Sequence, residues 1–178
     1  MRGGVDPVRR WWCADRVCDG TRFQFFTAVT PSPPDTGYTL FASSNTFFRF
    51  LPPQFSLEML RQLTFSVSTE SFEQTNLKDL PLVVPHPTTG QPCLRYHELW
   101  PQSKTNFDPM DVDIQRDGVS CLEEVAEPLE KLLYDRRVTY WHTWQKGDML
   151  LSDNTSMLHT RSAFESGCER ELWRIHLN

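Results

Sequence analysis

The chain has 178 residues, a formal net charge of −5 at pH 7 and 39% hydrophobic residues. This size and composition fit one soluble domain with a sizeable core, so we expect a single domain over residues 1–178. The 18 basic residues are outnumbered by 23 acidic residues and form no basic block. A nucleic-acid partner is therefore not expected, because such a partner needs a concentrated positive face.

The sequence contains no predicted membrane span or secretory signal. Residues 23–34 and 37–48 carry little charge, but Asp35 separates them and they are rich in Thr, Ser and Pro, whereas a spanning helix needs about 20 apolar residues. No apolar run follows Met1. We therefore expect a cytoplasmic protein without a membrane partner. The five cysteines include no C-x-x-C pair, which favours neither a disulfide framework nor a structural zinc site.

The first half of the chain predicts short strands and two short helices. Aromatic and β-branched residues favour strands over residues 22–30 and 38–42. Asn45 and Ser56 are typical helix N-caps. The remaining expected elements are helices over residues 46–51 and 57–63, a strand over 80–84, a turn over 86–90 and a strand over 92–96.

The second half predicts one longer helix among strands. Residues 98–118 are polar and interrupted by proline, which indicates a long loop. Ser120 and Glu123 have the spacing of a capping box, and apolar residues then repeat at helical spacing, so a helix is predicted over residues 120–134. Strands are expected over residues 138–144, 148–151, 157–164 and 171–177. This order of elements predicts a mostly β domain with helices, of the α+β class.

The last forty residues hold the most informative cluster of functional residue types. It consists of Trp144-x-x-Gly147-Asp148, Asp153-Asn154, His159-x-Arg161, Arg170 and Arg174. Arg170 and Arg174 are four residues apart, so their side chains lie on the same side of an extended strand. A histidine on a neighbouring strand could then hold a metal, with a small diacid clamped by an arginine as a further ligand. Each residue taken alone also fits an ordinary strand with surface charge.

The cluster resembles the distal motif of the taurine dioxygenase and clavaminate synthase-like superfamily of Fe(II) and 2-oxoglutarate dependent oxygenases. Residues 82–96 are similar to the H-P-x-T-G segment of that superfamily, and residues 38–41 to the segment after its proximal metal motif. The resemblance covers residues 11–177. It implies a double-stranded β-helix, or jelly roll, and the cofactors Fe(II) and 2-oxoglutarate.

The resemblance also implies a role for individual residues. His159 would be the distal iron ligand, and Arg170 would bind the far carboxylate of 2-oxoglutarate with help from Thr39. Arg174 would face the substrate or the same anion. The implied reaction uses dioxygen to hydroxylate or desaturate a small metabolite that is anionic or derived from an amino acid, as in secondary metabolism.

The proximal motif departs from the family pattern. The family has W-H-x-D, and this sequence has Trp12-Cys13-Ala14-Asp15, so the implied metal ligands are Cys13, Asp15 and His159. Two interpretations follow. A Cys13 thiolate could bind iron in a working oxygenase. Alternatively Cys13 is a small buried side chain, and the chain is an inactive family member that serves as a binding or regulatory module. A cupin-like barrel that binds a ligand without redox chemistry is a third, weaker interpretation.

The motif also lies close to the first residue. Family members have several helices and at least one core strand before it, so the resemblance predicts a β-helix that is incomplete at its N-terminus. An uncovered sheet edge favours pairing with another chain. We therefore expect a homo-oligomer or a partner chain that completes the fold. Residues 98–118 are expected to form a lid over the substrate.

Overall fold

A computed structural model describes residues 22–70, 76–99, 109–162 and 169–177 of the chain. Its elements are β1 (Phe23–Thr30), β2 (Thr39–Ser43), α1 (Ser44–Arg49), α2 (Leu57–Arg61), β3 (Leu63–Thr69), β4 (Asn76–Pro81), β5 (Val83–Pro85), β6 (Pro92–Leu94), β7 (Met110–Arg116), β8 (Val119–Ser120), α3 (Leu122–Leu133), β9 (Thr139–His142), β10 (Met149–Asp153), β11 (Met157–Arg161) and β12 (Glu171–Leu177). Strands dominate, which confirms the predicted mostly β, α+β class. Within these ranges, no helix is long and apolar enough to cross a membrane.

Two three-stranded antiparallel sheets face each other. Sheet A has the strand order β11, β2, β9, and sheet B has the order β10, β1, β12. Between them, the ring of Phe26 on β1 meets that of Phe41 on β2 edge to face, with 5.7 Å between ring centroids. Ala28 and Trp144 complete this small apolar cluster. It joins the two sheets into a sandwich whose interior can be lined by side chains from both.

The opposite face of sheet A covers the main hydrophobic core. Leu40, Ala42 and Leu158 join this core, which also includes the buried side of α3 and apolar residues of β3 and β7. Side chains alternate between the two faces of a strand. The residues between these apolar ones in sequence, among them Phe41, therefore face sheet B.

The two short helices are confirmed with corrected ends. α1 begins at Ser44, so Asn45 lies inside it, and its N-cap is Ser43, whose side chain makes no capping bond. The prediction of Asn45 as a cap was therefore wrong. The predicted cap Ser56 is confirmed, because its Oγ accepts a hydrogen bond from the Met59 backbone N–H at 3.1 Å. Leu63 begins β3 rather than ending α2, because alternating burial starts there.

The prediction of a loop over residues 98–118 was wrong for its second half, where β7 lies. Met110, Val112 and Ile114 are buried and alternate with more exposed polar residues. β7 pairs with β3 along the full length of both strands. The acidic and polar residues between the apolar ones gave the segment the composition of a loop. The period of two, rather than the overall composition, identifies the strand. Residues 100–108 lie outside the described residues.

The long helix α3 is confirmed, but its predicted capping box is not. Ser120 belongs to β8, and its hydroxyl donates to the Asp113 carboxylate at 2.6 Å. The N-cap is Cys121, whose side chain makes no capping bond. The buried stripe that includes Val125 and Leu129 packs on the core. Packing of this apolar face, rather than a side-chain cap, therefore positions the helix.

A buried histidine connects the predicted 86–90 turn to sheet B. His86 Nδ1 accepts hydrogen bonds from the backbone N–H groups of Thr88 and Thr89, each at 3.2 Å. Its Nε2 therefore carries the proton and donates to Asp153 Oδ2 at 2.8 Å. Asp153 also accepts from the Thr155 backbone N–H at 2.9 Å. The turn between β10 and β11 is thus held in place immediately before β11, the strand that carries His159.

These hydrogen bonds favour the ionised form of Asp153. Burial alone would raise the pKa of the Asp153 carboxyl. The hydrogen bonds from His86 and from the backbone outweigh burial, so the pKa lies below its ordinary value.

We expect the Asp153 carboxylate to stabilise the fold near neutral pH and to lose this effect in acid. Its folded pKa is below the unfolded value of about 3.9, so the contribution is complete above that value and declines as the pH falls through the folded pKa. Asp153→Asn should lower the free energy of unfolding near pH 7 by about 1–3 kcal/mol. In urea unfolding near pH 3 the loss should shrink. An equal loss at both pH values, or a similar loss for the exposed Asp111→Asn control, would contradict this account.

Candidate active site

The space between sheets A and B receives the side chains that the distal motif predicts to act together. On sheet A, β-strand register places Thr39 opposite Arg161 and Phe41 opposite His159. Arg174 lies on β12, one strand from Phe26, and its guanidinium reaches across to His159. The predicted residues Thr39, His159, Arg170 and Arg174 are thus brought together on the facing sides of the two sheets.

His159 is half-buried between aromatic rings. Its ring centroid lies 5.5 Å from that of Phe26 and 6.3 Å from that of Phe41. Its Nε2 is 3.5 Å from Nη1 of Arg174. A guanidinium can only donate, so this contact requires a lone pair on His159 Nε2. A metal would need the same lone pair, so ligation of a metal by this nitrogen and the Arg174 contact exclude each other.

Thr39 is buried, and its hydroxyl oxygen receives two N–H donors. Trp144 Nε1 donates to Thr39 Oγ1 at 2.7 Å, and Arg170 Nη2 donates to the same oxygen at 3.3 Å. A hydroxyl has two lone pairs and one proton. Because both lone pairs are engaged, the Thr39 hydroxyl can make a further hydrogen bond only by donating its proton to an acceptor.

Two guanidinium groups share this end of the site. Burial lowers the pKa of Arg170 to about 10, and repulsion from Arg161 adds to the effect. Burial also lowers the pKa of Arg161. Arg170 remains protonated at neutral pH, so the site keeps positive charge at this point. A carboxylate fits this set of groups, because it would accept from Arg170 and Thr39 and reduce the repulsion between the arginines.

The predicted metal ligands are described only in part. His159 lies in the described ranges, and Cys13 and Asp15 lie outside the described residues. Across the ranges that can be inspected, no three His, Cys, Asp or Glu side chains lie together as a metal site requires. A neutral histidine nitrogen is a common metal donor, and His159 Nε2 could take this role once the Arg174 contact is broken.

Trp144 and Arg161 were in the sequence motifs but received no role from them. The contact of Trp144 with Thr39 joins residues 105 positions apart. A contact at this separation cannot be inferred from one sequence. Asp148 Oδ2 accepts from the Gln145 backbone N–H at 2.8 Å, and Gly147 has φ +86°. The W-x-x-G-D motif therefore forms a tight turn that delivers the Trp144 indole into the site.

Comparison with known proteins places this geometry in a family. A model of the family described as "Taurine catabolism dioxygenase TauD, TfdA family" matches residues 16–176. The isocyanide synthase xanB of Aspergillus fumigatus is 47% identical over 163 residues, which are 92% of this chain and 21% of that protein. The tyrosine isonitrile desaturase of Pseudomonas aeruginosa is 28% identical over 160 residues, 88% of this chain and 54% of that protein.

A solved structure is similar over the same part of the chain. PvcB, described as an Fe, alpha-ketoglutarate dependent oxygenase from an isonitrile synthetic pathway, superposes with a TM-score of 0.64 at 27% identity, covering 88% of this chain and 52% of that one. The chain thus spans between about a fifth and about half of the length of these relatives.

The family match covers most of the chain, and the solved neighbour extends the likeness to three dimensions. The predicted jelly-roll class is confirmed by these neighbours. Fe(II) and 2-oxoglutarate, the cofactors predicted from the sequence, are those of the family. The chain therefore belongs to the TauD, TfdA family of Fe(II) and 2-oxoglutarate dependent oxygenases.

Proposed function

We propose that the chain forms the distal part of an oxygenase active site and oxidises a small carboxylate that is derived from an amino acid and bears an isonitrile group. The observation that carries the proposal is the Thr39 hydroxyl. The Trp144 indole and the half-buried guanidinium of Arg170 both donate to it, and Thr39 lies on the same sheet face as His159. An uncharged ligand would make little use of this arrangement.

His159 would hold Fe(II) together with Cys13 and Asp15. When bound, the metal would activate dioxygen, which is the oxidant: two of its four oxidising equivalents would be consumed in converting 2-oxoglutarate to succinate and carbon dioxide, and the other two would oxidise the substrate. His159 contributes a neutral nitrogen donor, and Asp15 a carboxylate. A thiolate at Cys13 would add negative charge to the site, which distinguishes this ligand set from one with two histidines.

The other side chains would bind and orient the cosubstrate. Arg170 and Thr39 would take the distal carboxylate of 2-oxoglutarate, and Arg161 would add positive charge nearby. Phe26 and Phe41 would exclude water from the His159 side of the site. These residues would orient the cosubstrate and exclude water.

Arg174 would recognise the substrate. Its guanidinium contacts His159 Nε2 at 3.5 Å, so a metal on that nitrogen would displace it, and the exposed arginine would turn toward the open side of the site. A carboxylate of the substrate is a suitable new partner. The isonitrile-related relatives support an amino-acid-derived substrate of this kind.

Cys13 supports a second candidate function. If its thiol does not ligate iron, the same fold with its anion site would serve as a non-catalytic binding or regulatory module. The Thr39 and Arg170 arrangement would be retained in that case, because carboxylate binding does not require the metal.

Arg170→Met should weaken the binding of 2-oxoglutarate by about tenfold to a hundredfold, since a charge-assisted hydrogen bond contributes about 1.5–3 kcal/mol. Equilibrium dialysis with labelled 2-oxoglutarate and Mn(II), without dioxygen chemistry, measures this effect. The matched control is Arg49→Met, an exposed arginine at the end of α1, which should leave the affinity unchanged. Equal affinities of the Arg170→Met variant and the unaltered protein would contradict the assignment.

Succinate formation from 2-oxoglutarate should increase when the isocyano derivative of tyrosine is added, and tyrosine itself should not produce this increase. Arg174→Met should raise the KM for the isocyano acid by about tenfold, because a charge-assisted pair to the carboxylate is lost. The methyl ester of the same isonitrile is the matched control. It lacks the carboxylate, so its KM should not respond to Arg174→Met. If neither this acid nor isocyano derivatives of other amino acids increase succinate formation, the substrate proposal is wrong.

A further inference from the structure

We propose that His142 is a positioning residue for the distal carboxylate of 2-oxoglutarate and acts through Trp144 on Thr39. The inference rests on the proposed function, because it concerns the surroundings of the same carboxylate subsite. His142 lies on β9 directly opposite Thr39 of β2. Residues paired in register project to the same side of a sheet, so both side chains lie on the side of sheet A that faces sheet B.

The first link is the bond between Trp144 and Thr39. The Trp144 indole is buried, and its N–H donates to Thr39 Oγ1 at 2.7 Å. This bond is shorter than the 3.3 Å contact from Arg170, so the indole is the principal anchor of the hydroxyl oxygen. If the indole turned away, a lone pair of Thr39 would be released and its proton would no longer have one preferred direction.

The second link is the ring contact between His142 and Trp144. Their ring centroids are 4.3 Å apart and the ring planes are nearly perpendicular, at 88°. This is the edge-to-face geometry that aromatic rings prefer. Phe26 contacts the same indole with 6.4 Å between centroids. The indole is thus held between sheet B and the imidazole of His142.

The imidazole has two polar neighbours. Tyr140 Oη lies within hydrogen-bond distance of His142 Nδ1, at 3.1 Å. Asp148 Oδ2 lies 3.4 Å from His142 Nε2, but this nitrogen makes no hydrogen bond with any residue that the structure describes. Asp148 accepts from the Gln145 backbone N–H at 2.8 Å. This hydrogen bond closes the turn after Trp144 without any contribution from His142. A substitution at residue 142 therefore probes the ring contact rather than the turn.

Two substitutions distinguish the effect of the imidazole ring from the effect of its nitrogens. His142→Phe keeps a ring against Trp144, whereas His142→Gln keeps polarity and removes the ring. We expect His142→Gln to weaken 2-oxoglutarate binding about tenfold and His142→Phe by less than about threefold. The same proteins are tested with 2-oxobutyrate, which has the 2-oxo acid but no distal carboxylate. Its affinity should change by less than about twofold in either variant. Binding is measured by anaerobic equilibrium dialysis with Mn(II).

Trp173→Gln is the matched control for removal of an aromatic ring, since Trp173 is 57% exposed on β12, and it should bind both acids normally. The proposal is overturned if His142→Gln binds 2-oxoglutarate as well as His142→Phe does, or if both acids weaken together. His142→Leu replaces the glutamine variant if the latter does not fold. Failure of the unaltered protein to bind 2-oxoglutarate would instead overturn the proposed function itself, and this inference with it.

Discussion

The hydrogen bond from the Trp144 indole to the Thr39 hydroxyl is the interaction on which the site depends. It joins β2 to the turn between β9 and β10, across 105 residues of sequence. Both groups are buried, so loss of either partner would leave a desolvated polar atom, at a cost of about 1–3 kcal/mol. Because the bond occupies a lone pair of Thr39 Oγ1, it also restricts the directions in which the Thr39 hydroxyl can donate its proton. Arg170, which immediately precedes β12, donates to the same oxygen, so the chain entering sheet B also meets Thr39.

Sheet A separates stability from chemistry by the alternation of its side chains. Leu40 and Leu158 face the main core, which α3 covers, and are almost completely buried. Thr39 and His159 project from the opposite face toward sheet B. Because every second residue performs each task, a shift of register by one residue would exchange core and site. The requirement for a continuous apolar face therefore also fixes where His159 points.

Much of the site could be predicted from sequence because its residues lie in motifs with fixed spacing. His159, Arg170 and Arg174 belong to one such motif. Arg170 contacts Thr39 and Arg174 contacts His159, but strand periodicity does not account for both, because Arg170 precedes β12. The role of Trp144 could not be predicted, because its partner lies on a distant strand. β7 was missed because its buried apolar residues alternate with acidic and polar ones, which made the segment resemble a polar loop. The capping box at Ser120 failed because a tertiary partner, Asp113, takes the serine hydroxyl.

The resemblance predicts that Cys13 stands where the family has a histidine ligand, and Cys13 precedes residues 16–176, which the family model matches. Thiolate and imidazole differ in charge and in ease of oxidation, so in the proposed function Cys13 decides whether the carboxylate subsite proposed at Thr39 and Arg170 serves an oxygenase or a binding module. The Thr39, Trp144 and Arg170 arrangement is compatible with both. Iron binding, rather than binding of 2-oxoglutarate, therefore distinguishes them.

The proposed iron site is tested by an anaerobic optical titration of the protein with Fe(II) and then 2-oxoglutarate, in parallel with Cys13→His. Chelation of the iron by the 2-oxo acid produces a weak visible charge-transfer band. If Cys13, Asp15 and His159 are the iron ligands, the band forms in the unaltered protein and also in the variant. A band in the variant alone would identify the unaltered chain as a binding module. Absence of the band from both proteins would contradict the assignment of an iron and 2-oxoglutarate site between the two sheets.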